Sequence, residues 1–147
     1  MNYSGLLALI AGAAIATQAS MNARLGVILQ SSLLGTAVAF AFSCLFTLVA
    51  AALLTTDYPS AGEVRSVPPY LWFSGGALAA LGVGLFYYLI PKMGIGPMMS
   101  YALTGQLLVA ITASHFGWFE LPVKSFNASR ALGVVALAIG IILINRE

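Results

Sequence analysis

The sequence predicts an all-α integral membrane protein with five transmembrane helices. Apolar residues make up 61% of the 147 residues and charged residues only 7%, whereas charged residues are about 25% of an ordinary soluble domain. The apolar residues are gathered in five segments, each close to the roughly 20 residues that a spanning helix needs. We place these helices at about residues 3–23, 33–54, 70–90, 96–114 and 130–145, in one transmembrane domain that covers residues 1–147 and contacts the lipid bilayer.

The first segment is interpreted as a retained helix rather than a secretory signal. Small residues between Ala16 and Ser20 resemble a signal cleavage site. However, no Lys or Arg precedes Leu6, and the apolar run is longer than the roughly 7–15 residues of a signal core. The polar residues from Asn22 to Arg24 are expected to mark the end of this helix.

The second segment precedes the longest connection, at residues 55–69. This connection holds three charged residues and three prolines. Because proline interrupts helices and charged residues prefer water, we predict a solvated loop. The third segment begins with Tyr70 and Trp72, which suit the headgroup region, and it is expected to end at Pro91.

The fourth and fifth segments have polar or aromatic ends. The fourth ends in an aromatic cluster from His115 to Trp118, which again suits the headgroup region. The fifth is short, so its flanking residues Arg130 and Arg146 are expected to reach outward to the interface, as long basic side chains do. The single cysteine, Cys44, lies inside the second segment and is expected to pack as a small hydrophobe.

The basic residues divide equally between the two sides of the membrane. If the five segments alternate in direction, the N-terminal side carries Arg65, Lys124 and Arg130, and the other side carries Arg24, Lys92 and Arg146. Orientation follows the excess of Lys and Arg in cytoplasmic loops, so neither orientation is favoured. An odd number of spans makes the two insertions inversions of one another, and inverted copies can pair about an axis in the membrane plane. Because the two halves show no repeat, the expected partner is a second copy, in an antiparallel dual-topology homodimer.

Three amide side chains within the predicted spans are candidates for a substrate site. Gln18 and Asn22 are four residues apart and therefore share one face of the first helix, and Gln106 lies in the fourth. Polar side chains at membrane depth turn toward other helices or a wet cavity, so hydrogen bonding between helices explains them as well. Together with Tyr87 and Tyr101, they predict a cavity for a small polar or amphipathic organic molecule.

Two groups of small residues suggest either motion or close packing. Gly82 and Gly84 weaken the middle of the third helix, which indicates a hinge for alternating access or, equally, close packing against a neighbour. In the fifth helix, Gly133, Ala136 and Gly140 favour close helix approach. This approach could be within one subunit or at a dimer interface.

Titratable residues are scarce within the predicted spans. All four acidic residues fall in predicted loops or at the C-terminus, so no buried carboxylate proton relay or cation trap is expected. His115 is the one side chain whose ordinary pKa lies near neutral pH. Its aromatic neighbours favour an anchoring role at the interface, and proton coupling stays the alternative.

The sequence lacks the patterns of an enzyme. It has no metal-ligand spacing, no phosphate-binding glycine loop and no nucleophile beside a plausible base, so we expect no catalysis, no cofactor and no metal. The net charge of +2 is spread over the loops. It therefore forms no basic patch that would indicate a nucleic-acid partner.

The order and spacing of several short motifs resemble a known family. The motifs are Gln18 to Gly26 (QASMNARLG), Gly35-Thr36, Trp72 with Gly75-Gly76, Gly105-Gln106-Leu107, His115 to Trp118 (HFGW), Leu121-Pro122 and the closing helix from Leu132 to Gly140. On these motifs the chain resembles the half-size, five-helix YdcZ-type proteins of the drug/metabolite transporter superfamily, relatives of the EamA-like transporters and the small multidrug resistance proteins. The resemblance implies a multi-pass protein of the bacterial inner membrane, occurring as a dual-topology chain, an oppositely oriented pair or a fused antiparallel duplicate. The chain departs from the family pattern at Ser114, where an acid often precedes the histidine.

These observations predict a half-transporter that moves a small organic solute by alternating access in an antiparallel homodimer. The predicted cavity is lined by Gln18, Asn22 and Gln106 from both copies. Two other classes stay open. A dual-topology ion channel would pass solute far faster than alternating access allows, and a non-transporting membrane assembly subunit would copurify with another membrane protein.

Overall fold

The computed structural model describes residues 3–118, 123 and 127–146, and the regular structure of these residues is helical. The helices are α1 (Tyr3–Ile28), α2 (Ser32–Leu54), α3 (Ala61–Ser66), α4 (Ser74–Met93), α5 (Ile95–Phe116) and α6 (Ala128–Ile144), with a 3₁₀ turn at Pro69–Trp72 before α4. Leu121, Pro122 and Lys124, which the sequence assigns to a motif and a connecting loop, lie outside the described residues. The all-helical prediction is confirmed for the described part of the chain.

Four of the predicted membrane spans are long and apolar enough to cross a bilayer. These are α1, α2, the 3₁₀ turn together with α4, and α5. The fifth predicted span is α6, an apolar helix of 17 residues. Its crossing of the membrane therefore stays a prediction.

Helix α1 extends to Ile28 instead of ending at residue 23 as predicted. Its end is set by Gln30, which adopts a left-handed backbone conformation with φ 54°. The N–H of Ser31 bonds to the carbonyl of Gly26 at 2.9 Å, and the N–H of Gln30 bonds to that of Val27 at 3.1 Å. This pair of bonds is a Schellman motif, which ends α1 after Ile28. The polar residues Asn22 and Arg24 therefore lie within the helix.

Helices α1 and α2 form a hairpin whose backbones meet at two glycines. The side chain of Ser31 caps α2 by accepting a hydrogen bond from the N–H of Leu34 at 3.2 Å. A Cβ atom on Gly35 would lie 3.0 Å from the Cα and 3.1 Å from the N of Gly26. Only glycine at position 35 permits this approach without a shift of the backbone.

The long connection is not a loop throughout, because residues Ala61–Ser66 form α3. Ser60 and Glu63 make a capping box. The Ser60 hydroxyl accepts from the Glu63 N–H at 3.3 Å, and the Glu63 carboxylate accepts from the Ser60 N–H at 2.7 Å. The Ser-x-x-Glu spacing is the sequence signal that could have indicated this short helix.

Helix α4 begins and ends later than the sequence predicts. The prolines Pro68 and Pro69 precede a 3₁₀ turn, and the α-helix begins at Ser74 rather than at residue 70. It continues through Pro91 to Met93, and Gly94 follows with a φ of 85°. A proline inside a helix removes one N–H donor and crowds the carbonyl four residues earlier. Helix α4 nevertheless continues past Pro91, and the left-handed Gly94 marks its end.

The described chain divides into two compact units, residues 1–92 and 93–147. In the first unit Ala19, Ala23 and Tyr87 are buried, and in the second Met98 and Ile141 are buried. Most large apolar side chains on the helices are exposed. Such a surface is suited to lipid or to partner helices rather than to water.

Candidate functional site

A cleft of about 710 Å³ opens between α1, α2 and α4 in the first unit. It is lined by Ala14, Ile15, Gln18, Asn22, Leu25, Val38, Ala39, Phe40, Phe42, Ser43, Phe46, Val83 and Tyr87. Its volume lies within the roughly 300–1,000 Å³ of small-molecule sites, and a few polar groups set in apolar walls are typical of them.

Gln18, Asn22 and Tyr87 form the polar part of this cleft, and we call them the amide–tyrosine cluster. The Nδ2 of Asn22 donates to the Oε1 of Gln18 at 2.8 Å and lies 2.9 Å from the hydroxyl of Tyr87. The Tyr87 hydroxyl in turn donates to the same Gln18 Oε1 at 3.1 Å. The cluster therefore joins α4 to one face of α1.

Small residues allow α1, α2 and α4 to approach one another near the amide–tyrosine cluster. Ala19 and Ala23, beside the two amides on α1, are 0% and 1% exposed. On α4, a Cβ atom on Gly84 would lie 3.6 Å from the Oγ1 of Thr36 in α2. Tyr87, less than one turn further along α4, is 2% exposed. Close packing thus holds the tyrosine ring in place while its hydroxyl reaches the amides.

Aromatic and aliphatic side chains of α2 make up most of the remaining wall. Phe40, Phe42 and Phe46 all line the cleft, and the rings of Phe42 and Phe46 are 6.4 Å apart at an angle of 34°. Ser43 adds a hydroxyl on the same helix. These rings can cover the apolar part of an organic molecule whose polar part meets the amides.

The described residues that line the cleft carry no charged side chain. An isolated charge is costly to remove from water unless a partner charge or several hydrogen bonds compensate it. The cleft can therefore offer hydrogen bonds and apolar contact, but it offers no opposite charge to an ion. Among the residues that the structure describes, no three His, Cys, Asp or Glu side chains are grouped to hold a metal.

The structure brings together three of the five predicted substrate residues. Gln18, Asn22 and Tyr87 meet in the cluster. Gln106 and Tyr101 lie on α5 in the second unit, and both are exposed. Their role in binding stays a prediction.

The predicted hinge and proton-coupling residues occupy different surroundings. A Cβ atom on Gly82 would meet nothing within 4 Å, whereas Gly84 is buried against Thr36. His115 is exposed near the end of α5 and lies edge-on to Phe116 at 5.0 Å. It also lines a separate cavity of about 340 Å³ in the second unit. Neither the hinge role nor proton coupling is tested by these positions.

Sequence reasoning missed two groups of residues. The hydropathy pattern assigns the phenylalanines of α2 only to an apolar span, although Phe42 and Phe46 are one helical turn apart and share a face. In the second unit, the Nδ2 of Asn145 donates to the Oγ of Ser100 at 3.0 Å and to the carbonyl of Ile141 at 2.7 Å. The position of Asn145 at the end of the apolar helix α6 is the sequence feature from which that contact could have been proposed.

Comparison with known proteins agrees with these observations. Residues 4–143 match the family described as "Putative inner membrane exporter, YdcZ". No curated protein and no solved structure matches the chain. The matched range covers the four long apolar helices except Tyr3, the first residue of α1, and all but the last residue of α6. The chain belongs to the YdcZ family, in the drug/metabolite transporter superfamily.

Proposed function

We propose that the chain is a half-transporter that exports a small organic solute by alternating access, as an antiparallel homodimer. The cleft between α1, α2 and α4 carries this proposal, because it combines the amide–tyrosine cluster with apolar and aromatic walls in a volume that suits an organic molecule. The family description supplies the direction of transport. The lining of the cleft supports a small organic molecule as the solute.

The amide–tyrosine cluster supports a site that can open and close. Tyr87 is joined to α1 by hydrogen bonds to Gln18 and Asn22. Polar contacts between membrane helices contribute only about 0.6 kcal/mol on average, so these bonds can break and re-form when α4 moves. Open space around Gly82 leaves room for α4 to bend five residues before Tyr87. Solute binding would in this way be coupled to movement of α4 against α1.

Antiparallel pairing is supported by the charge distribution and by the exposed apolar surface. The six basic residues divide three and three if five spans are present, which removes the usual instruction for a single orientation. Along α2, large apolar side chains such as Leu45, Leu48 and Leu53 are exposed. A second copy of opposite orientation can cover part of this surface and complete the transport pathway.

The proposal is tested with purified protein in liposomes loaded with four analogues of one small molecule. The analogues are N-acetylphenylalaninamide, its fully N-methylated neutral form, the anion N-acetylphenylalanine and the cation N,N,N-trimethylphenylalaninamide. Mass spectrometry then follows their loss relative to protein-free liposomes. We expect saturable efflux of at least one analogue. The Gln18→Ala and Asn22→Ala variants should lower that efflux about tenfold, the cost of roughly one good hydrogen bond in the site.

Ser20→Ala is the matched control on α1. The Ser20 hydroxyl donates to the carbonyl of Ala16 at 2.9 Å and does not line the cleft, so efflux should be unchanged. Retained helical content and an unchanged melting temperature would show that the variants fold. Efflux that none of the cleft substitutions alters, or no efflux of any analogue, would overturn the proposal.

A further inference from the structure

We propose that the cleft selects uncharged solutes that carry an amide and an apolar group, such as blocked amino acids or short neutral peptides. This inference rests on the proposed transport function, since it names the solute class of the same site. It follows from which atoms of the amide–tyrosine cluster are already hydrogen-bonded and which are still available.

The internal bonds of the cluster leave one donor group and one acceptor. The Oε1 of Gln18 accepts from Asn22 and from Tyr87, and the Nδ2 of Asn22 donates to Gln18 and Tyr87. Among the described residues, this leaves the Nε2 of Gln18 and the Oδ1 of Asn22 without a protein partner. An NH₂ group and a carbonyl oxygen one helical turn apart can bind the carbonyl and the N–H of an amide.

The available groups are the same for either orientation of the side-chain amides. If both amides are turned by 180°, Gln18 donates to Asn22 and Tyr87, and Tyr87 donates to Asn22, over the same three distances. The free atoms are then the Oε1 of Gln18 and the Nδ2 of Asn22. One NH₂ group and one carbonyl oxygen again remain, so the cluster is complementary to an amide in both cases.

Tyr87 acts as a positioning residue within this site. Its hydroxyl both accepts from Asn22 and donates to Gln18, and its side chain is 2% exposed. A phenol donates one hydrogen and has little acceptor capacity left after these contacts. Tyr87 therefore holds the two amides in one arrangement and leaves contact with the solute to them.

The rest of the cleft favours a neutral solute over an ion. Its described lining contains no Lys, Arg, Asp, Glu or His, and a charge that leaves water without a partner is disfavoured. Phe42 and Phe46 can cover an apolar group. Stacking with an aromatic ring attracts a cation, but it replaces only part of the hydration that the cation loses.

The test measures binding of tritiated N-acetylphenylalaninamide to the purified protein in detergent, with the three analogues above as competitors. Methylation of its nitrogens removes every N–H and leaves the acceptor in the cluster unpaired, so that form should compete about tenfold or more weakly. The anion and the cation should compete about a hundredfold more weakly. Equal or tighter competition by either ion, or by the methylated form, would overturn the inference.

An isosteric substitution gives a second measurement that does not depend on the wild-type protein alone. Gln18→Glu offers an acceptor to Asn22 and Tyr87, and once Asn22 donates to it, neither side chain has a free NH₂ group left for the solute. At pH 8.5 the variant should lose binding of the neutral amide at least about tenfold and gain binding of the cationic analogue, because a carboxylate now supplies the opposite charge. Unchanged preference for the neutral amide would contradict the assigned contact.

The outcomes separate this inference from the proposed function. Saturable, cleft-dependent efflux of an ion in place of the amide would leave the transporter proposal intact and overturn the solute class. Selective binding of the amide without efflux would support the recognition chemistry and overturn transport. Ser20→Ala, which lies outside the cleft lining, should bind all four analogues as the wild type does.

Discussion

The hydroxyl of Tyr87 on α4 donates a hydrogen bond of 3.1 Å to the Oε1 of Gln18 on α1, across 69 positions of sequence. Asn22 completes this contact by donating to both groups. Hydrogen bonds of this kind between membrane helices contribute at most about 1.7 kcal/mol. The contact is therefore specific enough to orient two amides and weak enough to break and re-form.

Tyr87→Phe should loosen the amide–tyrosine cluster while keeping the packing of the ring. The variant removes one donor and one acceptor, and the two amides still bond to each other, so the expected loss of unfolding free energy is about 1 kcal/mol. Binding of N-acetylphenylalaninamide should weaken, because the amides are no longer held in one arrangement. Thermal unfolding and equilibrium binding measure the two effects.

Tyr88→Phe is the control for this substitution. Tyr88 is exposed, and the Lys92 ammonium lies 3.5 Å from its ring centroid, a contact that phenylalanine retains. Stability and binding should both stay close to wild type. If the two variants behave alike, the cluster does not have the role that its geometry indicates.

Gly35→Ala should disturb the α1–α2 hairpin. The new Cβ would lie 3.0 Å from Gly26 Cα and 3.3 Å from the carbonyl oxygen of Asn22, and all the atoms it meets belong to the backbone. Overpacking of this type costs about 1–3 kcal/mol. The shift also displaces Asn22 from the cluster, so binding should fall with stability. Gly12→Ala, where a Cβ meets nothing within 4 Å, should be neutral or stabilising.

The sequence predicted the helical architecture because long apolar runs leave few other solutions in a membrane. It also predicted that Gln18 and Asn22 share a helix face, since that follows from a spacing of four residues. Tyr87 could be proposed as a third member of the site from its residue type, but its contact with the two amides could not be predicted. That contact depends on the packing of Gly84 against Thr36 and on the buried alanines of α1, which involves three segments of the chain.

The errors in the predicted boundaries have a common physical cause. The predicted helix ends lie at polar residues or prolines, as at residue 23 and at Pro91, whereas the observed ends follow left-handed conformations at Gln30 and Gly94. A polar residue whose side chain is hydrogen-bonded within the helix, such as Asn22, does not end it. These ends depend on the backbone conformation of single residues and on local backbone hydrogen bonds, which a hydropathy pattern does not contain.

The Gly82→Ala and Gly84→Ala variants distinguish a hinge from simple packing. Neither new Cβ clashes, since position 82 is open and position 84 would meet Thr36 at an ordinary contact distance of 3.6 Å. Each alanine should therefore stabilise the helix by up to about 1 kcal/mol. If α4 bends at this point during transport, efflux should slow while binding is retained. Higher stability with unchanged efflux would end the hinge hypothesis.

Glu63 should titrate below its ordinary pKa of 4.5, because hydrogen bonds from the backbone and then the side chain of Ser60 stabilise the carboxylate. A lowered pKa means that the capping contribution to α3 is present above pH 4.5 and is lost as the pH falls through the folded-state pKa. Carboxyl carbon chemical shifts of Glu63 measure this midpoint.

Ser60→Ala should raise the pKa of Glu63 only part of the way, since the backbone N–H bond remains. Ser66→Ala is the control, because the Ser66 hydroxyl donates to the backbone carbonyl of Glu63 and does not touch the carboxylate. A Glu63 midpoint at or above 4.5 in the unmodified chain would contradict the capping box as the source of the shift.

Insertion in both orientations is tested with one cysteine in the connection between α2 and α4. The native thiol is first removed by Cys44→Ala, and Asp57→Cys then places a single thiol outside the helices. A membrane-impermeant maleimide applied to spheroplasts should label about half of the protein if both orientations form equally. Labelling of all or none of the chains would contradict the homodimer and call for a partner of opposite orientation.

Added charge should shift this population in opposite directions at two positions. Met93→Lys adds a positive charge on the side that already carries Lys92, so that side becomes cytoplasmic more often and labelling at position 57 should rise. Gly62→Lys adds the charge in the connection itself, where a side chain has room beside Ser60, and labelling should fall. Because each variant adds one Lys, the pair separates the effect of position from that of total charge. Labelling that responds to neither variant would show that the balance of basic residues does not set the orientation.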